Sequence, residues 1–310
     1  MSEIMVSIVC NTYNQEAYIR NALDGFLMQE TTFDYEVLVH DDASTDGTRQ
    51  IIEEYTQKYP NLIKPILQTE NQFSQRISIT RTFQFPRAQG KYIAFCEGDD
   101  YWTDPKKLQK QVDALEAHPD IDLCGHRVRI TENEVDVGLY PVFDKDCIFT
   151  AGEAIKGGGG FVPTGSMMFR KEIIGKYTFA KSMSLDYVWQ ISGSLRGGLL
   201  YLADCMGVYR RNANGSWTVF ASKNPERQIR RWGRLCEMLE ALKEETNGKY
   251  EDEINSRIAK MRLNIWNWSG ALNKTLSREG RAYLRYQSPK DRVIIVLQTA
   301  RRSLMKLLNS

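Results

Sequence analysis

The chain has 310 residues, 42% of them hydrophobic and 26% charged, with a formal net charge of +2. That length accommodates one large α/β domain and a smaller appendage, and the composition excludes a disordered or fibrous protein. The charge is divided unevenly: residues 1–220 carry 22 Lys and Arg against 29 Asp and Glu, while residues 221–310 carry 19 against 10, so the tail is the part suited to an anionic surface.

The first apolar run, Val6 to Cys10, reads as a strand reached without a basic segment or long apolar stretch, so no secretory signal is expected. It ends in Asn11-Thr12-Tyr13-Asn14, followed by Glu16 and a helix to about Met28. A dinucleotide fold needs its glycine-rich turn here, and a nucleoside triphosphatase needs GxxxxGK[ST]; neither occurs. A tyrosine beside hydroxyl and amide groups suits one base and one ribose.

A second strand, Glu36 to His40, delivers Asp41 and Asp42 to the same edge, ahead of a helix from Thr48 to Tyr59. Ser44, Asp46 and Thr48 are turn and cap residues. They also fall at EF-hand positions, but a strand stands where a calcium hand needs a helix. A carboxylate at a strand end can accept a ring N–H and ribose hydroxyls. After Lys64 to Gln68 comes a looser stretch holding Arg76 and Arg81, read either as diphosphate contacts or as surface cations.

Tyr92 to Cys96 is short, β-rich and apolar on both faces, the signature of a buried parallel strand. It runs into Glu97-Gly98-Asp99-Asp100 at the carboxyl edge, where open α/β sheets bind ligands. Clustered carboxylates repel one another unless a cation sits between them, and a hard divalent ion, Mg²⁺ or Mn²⁺, fits such oxygen ligands. Asp104-Pro105 reads as an ordinary helix start. Trp102, directly after the acids at 97–100, is placed on the side of a second substrate as a stacking face, with half-buried packing as the alternative.

Further on come a helix from Lys106 to Ala117, a strand from Asp122 to Ile130, a strand near Ser166 to Phe169, a helix near Asp186 to Leu195, and strand-like pieces at 198–202 and 208–210. The βαβ rhythm of the first half implies a right-handed, parallel sheet. Beyond about residue 222 only long helices are expected. Six cysteines without a CxxC pair predict buried thiols in a reducing compartment, here the cytoplasm. No apolar run approaches the roughly 20 residues that span a bilayer.

Thr12-Tyr13-Asn14, Asp41 to Gly47 and Glu97 to Trp102 together resemble the family 2 glycosyltransferases of the GT-A fold, over roughly residues 4–215. The resemblance implies an α/β, Rossmann-like, mostly parallel sheet flanked by helices, with a C-terminal helical extension. It places a glycosyltransferase domain at 1–220, split into a nucleotide-sugar half (1–105) and an acceptor half (106–220), and a basic helical region at 221–310. It implies an inverting transferase of bacterial surface glycans that uses a nucleotide sugar, most often a UDP-sugar, and a divalent metal. Thr12, Tyr13 and Asp42 would bind the nucleoside, supported by Asn14, Glu16 and Asp41, with Arg76 at the phosphates. Asp99 would meet both ribose and metal, Asp100 the metal, and Glu97 stands where the family has the first acid of its metal motif.

The family's catalytic base is an acid ahead of a helix in the acceptor half, and Ser184-Leu185-Asp186 matches it. Asp186 would take the acceptor hydroxyl's proton. Tyr209-Arg210-Arg211-Asn212 sits where relatives often carry a His that touches metal or diphosphate, so Arg210 or Arg211 would meet the phosphates instead. Gln228-Ile229-Arg230-Arg231-Trp232 fits the QxxRW signature of processive synthases, but processivity is not expected without membrane helices. Val293, Leu297, Ala300, Leu304 and Leu308 recur at helical spacing beside Arg292, Arg301, Arg302 and Lys306. This helix reads either as a face for an anionic membrane or as one packed on protein. The acceptor would be a glycan or polyprenyl-linked sugar at the cytoplasmic leaflet. Nucleic-acid binding is not expected, and a homo-oligomer is left open. A sugar nucleotidyltransferase and a catalytically silent nucleotide-sugar-binding subunit are the competing readings.

Overall fold

The computed structural model describes residues 3–140, 143–182, 186–213 and 224–308. The chain divides into two compact units, Met1–Val219 and Phe220–Ser310.

The first unit is built on ten strands: β1 (Ile4–Thr12), β2 (Asp34–Asp41), β3 (Ile63–Leu67), β4 (Tyr92–Phe95), β5 (Tyr101–Trp102), β6 (Leu123–Glu132), β7 (Val135–Tyr140), β8 (Cys147–Phe149), β9 (Met168–Arg170) and β10 (Leu199–Arg211). Their order is β3-β2-β1-β4-β9-β6-β10-β5, with β7 added on β6 and β8 on β10. β1 to β4 are mutually parallel. β9 runs antiparallel to both β4 and β6, and β10 is parallel to β6. Six strands therefore share one direction, and the reversed ones are short or peripheral.

Helices α1 (Ile19–Leu27), α2 (Thr48–Lys58), α3 (Lys107–Ala117), α4 (Ala151–Gly157) and α5 (Asp186–Ser194) belong to this unit. β1 is buried on both faces. Val6, Ile8 and Cys10 meet Ile19, Ala22, Leu23 and Phe26 of α1 on one side, and Val9 joins Ile93, Phe95, Phe169 and Trp189 on the other. Each such apolar side chain contributes about 1.5–3 kcal/mol on leaving water. α3 buries Leu108, Val112 and Leu115, one face at helical spacing. Asp104 accepts the Lys106 N–H at 2.8 Å just before it.

The second unit holds α6 (Pro225–Glu245), α7 (Glu251–Ser269), α8 (Arg278–Leu284) and α9 (Pro289–Leu308), plus a single turn at Leu272–Thr275. The Asn224 side chain caps α6 by accepting the Arg227 N–H at 3.0 Å, with Pro225 in the first turn, where its missing N–H costs nothing. α7 ends at Gly270, φ 64°, the left-handed conformation that glycine adopts freely. Trp232 of the QxxRW match packs edge-on against Trp268, centroids 5.6 Å apart. Among the described residues no helix is long and apolar enough to cross a membrane.

Candidate functional site

Three parallel strands bring their carboxyl ends together. Thr12 lies beside Asp41 in register, the Asp42 N–H donates to the Thr12 carbonyl at 3.0 Å, and the Gly98 N–H donates to that of Asn11 at 3.1 Å. Three motifs that are distant in sequence thus form one edge.

The turns after β1 and β2 are tied to each other. Asn14, φ 51°, accepts the Thr45 N–H at 2.8 Å and donates its own to Ser44 Oγ at 2.8 Å. Glu16 accepts the Gly47 N–H at 2.6 Å. Asp41, fully buried, accepts both the backbone N–H and the hydroxyl of Ser44. Burial pushes its carboxyl above the usual range, and the Ser44 bonds oppose this. Asn14, Glu16 and Asp41 therefore shape the edge, while the Tyr13 ring stands exposed on it.

Asp42 is buried, with Oδ1 accepting the Gln72 N–H at 2.8 Å and Oδ2 the Phe73 N–H at 3.0 Å. Both oxygens thus hold the 71–73 loop. Arg76, φ 66°, lies exposed on the next turn. Arg81 donates to the Ala180 carbonyl and lies 4.9 Å over Trp189, so it is built into the wall.

The acids after β4 form a charged recess. Glu97 offers accessible surface at its mouth, whereas Asp99 and Asp100 are buried. Glu97 is pushed well up, first by desolvation and then by the charges of Asp186, Asp99 and Asp100. Asp100 is raised in the same way, by desolvation and then Asp99, with Asp186 contributing. Asp186, the first residue of α5, is therefore close enough for its charge to act on both. Ser184 and Leu185 lie outside the described residues.

Gln15 and Arg210 organise this recess. Gln15, only 7% exposed, accepts the Thr12 hydroxyl at 2.8 Å and donates its N–H to Thr48 Oγ1 at 2.8 Å. Its side chain also bonds the Asp99 carboxylate, holding that acid's pKa down against burial. A Cβ at Gly98 would lie 2.5 Å from Gln15 Oε1 and 2.7 Å from Thr12 Oγ1, so only glycine lets these groups close up. Arg210, also buried, donates to the Asp99 carbonyl, Glu134 Oε1 and Asn21 Oδ1, each at 2.9 Å. Its guanidinium lies 4.5 Å from the Tyr101 ring and 5.0 Å from that of Tyr18, a cation–π sandwich. It is thus committed to protein. Arg211 is exposed beside it, on a cavity of ≈ 60 Å³ lined also by Tyr18, Thr131 and Glu134. Asn212 donates to Glu132 at 2.6 Å.

One expectation changes. Trp102 is 2% exposed, donates to the Gly165 carbonyl at 2.8 Å and meets Phe26 edge-on at 4.9 Å; no face remains for a sugar, so it belongs to the core. Among the described residues, moreover, no three Asp, Glu, His or Cys side chains converge as a closed metal set. Within the recess, Asp100 accepts the Arg210 amide N–H at 2.8 Å and Asp99 is bonded by Gln15. The recess still fits a divalent cation in donor type and charge, since burial raises the pKa of all three carboxylates, with neighbouring acids adding to it at Glu97 and Asp100, despite the Arg210 charge beside them. Gln15 was missed because a glutamine in a turn has no pattern of its own. Gly98, wedged between acids, is the signal that something packs against the backbone there.

Comparison with known proteins follows the same geometry. The model of glycosyl transferase family 2 matches residues 7–178. The uncharacterized protein Rv1520 of Mycobacterium tuberculosis (strain ATCC 25618 / H37Rv) is 37% identical over 286 residues, covering 90% of this chain and 78% of that protein. The uncharacterized glycosyltransferase alr2836 of Nostoc sp. is 28% identical over 177 residues, 55% of this chain and 52% of that one. Among solved structures, S. aureus TarS 1-349 in complex with UDP-GlcNAc aligns at TM-score 0.63 and 15% identity, over 91% of this chain and 79% of that one. The mannosyltransferase PcManGT from Pyrobaculum calidifontis, in complex with GDP-Man and Mn²⁺, aligns at 0.55 and 15%, over 96% and 86%. At such identities these two bear on fold alone.

Proposed function

The chain belongs to glycosyl transferase family 2, and on that premise we propose that this glycosyltransferase moves a sugar from a UDP-sugar to a hydroxyl of a glycan or polyprenyl-linked acceptor, with inversion. The observation that carries this reading is the recess where Asp186 lies close enough to Glu97 and Asp100 for its charge to help raise the pKa of both. The UDP donor is supported by the motifs at 12–14 and 41–47, which lie together at the strand ends. We place the reaction on the cytoplasmic side of a membrane, in the assembly of a surface polysaccharide.

In this mechanism Tyr13 stacks on the base and Thr12 stands at the ribose, on an edge that Asn14, Glu16 and Asp41 keep in shape. Asp42 acts through the 71–73 loop it anchors. Asp99 and Asp100, with Glu97 at the mouth, would hold Mg²⁺ or Mn²⁺, which when bound offsets charge growing on the leaving diphosphate. Asp186 accepts the proton of the attacking hydroxyl. The hydroxyl enters opposite the leaving group, so the reaction needs no covalent intermediate. Arg211, open to solvent, is the cation available to the diphosphate.

The test is incubation with Mn²⁺ and a panel of UDP-, GDP-, dTDP- and CMP-sugars, with nucleotide release and calorimetric binding measured side by side. Metal-dependent binding of one UDP-sugar with slow UDP release, lost in Asp100→Ala, is expected. A folded protein that binds no nucleotide sugar overturns the proposal.

A further inference from the structure

Helix α9 presents two unlike faces. On one, Thr299 is fully buried, and Ile295 and Val296 pack on the cluster of Leu263, Trp266 and Leu284. Arg302 lies 5.1 Å over Trp268, and Asn267 donates to Gln298 at 3.1 Å. These contacts fix the helix within its own unit.

Among the described residues, the other face has no such cover. Val293, Leu297, Leu304 and Leu308 follow one another at intervals of four, seven and four residues, a single stripe along a helix. They are 58%, 63%, 58% and 76% exposed. Ile294 and Met305 flank the stripe and are exposed as well. Lys290 and Arg301 project from the same side, in contact with solvent.

Charge selects the occupant. Residues 254–310 carry 12 Lys and Arg against two acids, Glu279 and Asp291. Asp291 is engaged by the Ser288 hydroxyl at 2.7 Å, and Glu279 by that of Tyr283 at 2.9 Å. A second copy docked face to face would set these cations against themselves. Nucleic acid would satisfy the cations but leave the leucines wet. An anionic bilayer meets both demands, because apolar side chains enter the acyl boundary while Lys and Arg stay at the headgroups.

We propose that the Val293–Leu297–Leu304–Leu308 face of α9 docks the protein on a membrane bearing anionic lipids. The inference draws on the transferase reading for its setting alone. Its physical test needs no donor sugar, so either can fail while the other stands.

The experiment is flotation of the full chain with vesicles of phosphatidylcholine alone or doped with phosphatidylglycerol, at low and high salt. Expected are co-flotation with the doped vesicles, weakening at high salt, and loss of at least about tenfold in Leu297→Glu/Leu304→Glu with an unchanged circular dichroism spectrum. Arg301→Gln, which leaves the stripe intact, should weaken binding about fivefold. The proposal is overturned by absence of binding, by equal binding to neutral vesicles, or by leucine variants that bind as well as the parent. It is equally overturned if the parent is a dimer that those variants dissolve, which would assign the face to a second copy.

Discussion

The backbone N–H of Arg210 donates to the Asp100 carboxylate at 2.8 Å, across 110 residues of chain. The same residue's guanidinium holds the Asp99 carbonyl, so the end of β10 sets both the side chain of one acid and the backbone of the other.

Arg210→Lys should therefore behave as a loss and not as a conservative exchange, because an ammonium cannot span three acceptors with a planar fork. Losing these buried charged hydrogen bonds costs about 2 kcal/mol, or roughly 4–8 °C in Tm for a domain of this size. A thermal melt checks the stability. UDP release should drop at least about tenfold, since both acids lose their support.

Gln15→Met keeps the length of the side chain and removes its links to Thr12 and Asp99. Affinity for Mn²⁺ with nucleotide sugar should fall about tenfold, the worth of one buried polar contact. Gln15→Glu should be worse, because it adds a fourth carboxylate to the recess. Calorimetry separates the two variants, and indistinguishable affinities would remove Gln15 from the site.

If Asp186 is the base, Asp186→Asn should lower turnover by about 10²–10⁴ while donor affinity stays within about twofold. A matching loss of donor binding would instead give Asp186 a place in holding the donor.

Lys107 offers a prediction about pH. Among the described residues its buried amine has no hydrogen-bond partner and lies 3.6 Å from the centroid of the Trp102 ring, and desolvation pulls its pKa down to about 7. In the unfolded chain it titrates near 10.5. The deprotonated amine suits the fold, so the stability tied to it is complete above about 10.5 and is lost as pH falls toward 7. Lys107→Met should raise Tm, by an amount that grows from pH 10 to pH 7 and then levels off. Melts across that range check it, and a gain independent of pH would contradict it.

The gathering of these acids at one sheet edge is legible because acids and turn residues at the ends of apolar runs have few structural uses. Asp104 is legible for the converse reason: its cap spacing explains it fully. The failures are also physical. β10 reads as two pieces because its register shifts between Leu202 and Gly207, where solvent reaches Asp204 and Cys205 and the apolar pattern breaks. β7 does alternate, with Val135, Val137 and Leu139 set between Asp136 and Gly138, but the run is short, interrupted by glycine, and its apolar residues stand exposed. Trp102 was misplaced because its neighbours in sequence are site residues, whereas its neighbours in space, Phe26 and Lys107, come from two helices. The pairing of Asp42 with the 71–73 loop and of Gln15 with Asp99 are tertiary facts with no local signature.

The insertion of β9 between β4 and β6 also governs how the protein can be made. β1 to β4 all lie within the first 95 residues and can pair as soon as they leave the ribosome. β6 (residues 123–132), though synthesised before β9, can join them only after β9, some 40 residues later, has slotted in between, and Asp100 gains its amide partner only with β10. Closing such loops is slow relative to local pairing. The nascent chain thus carries its acids uncompensated until the last strand arrives, and the catalytic recess should be the final part of this unit to mature.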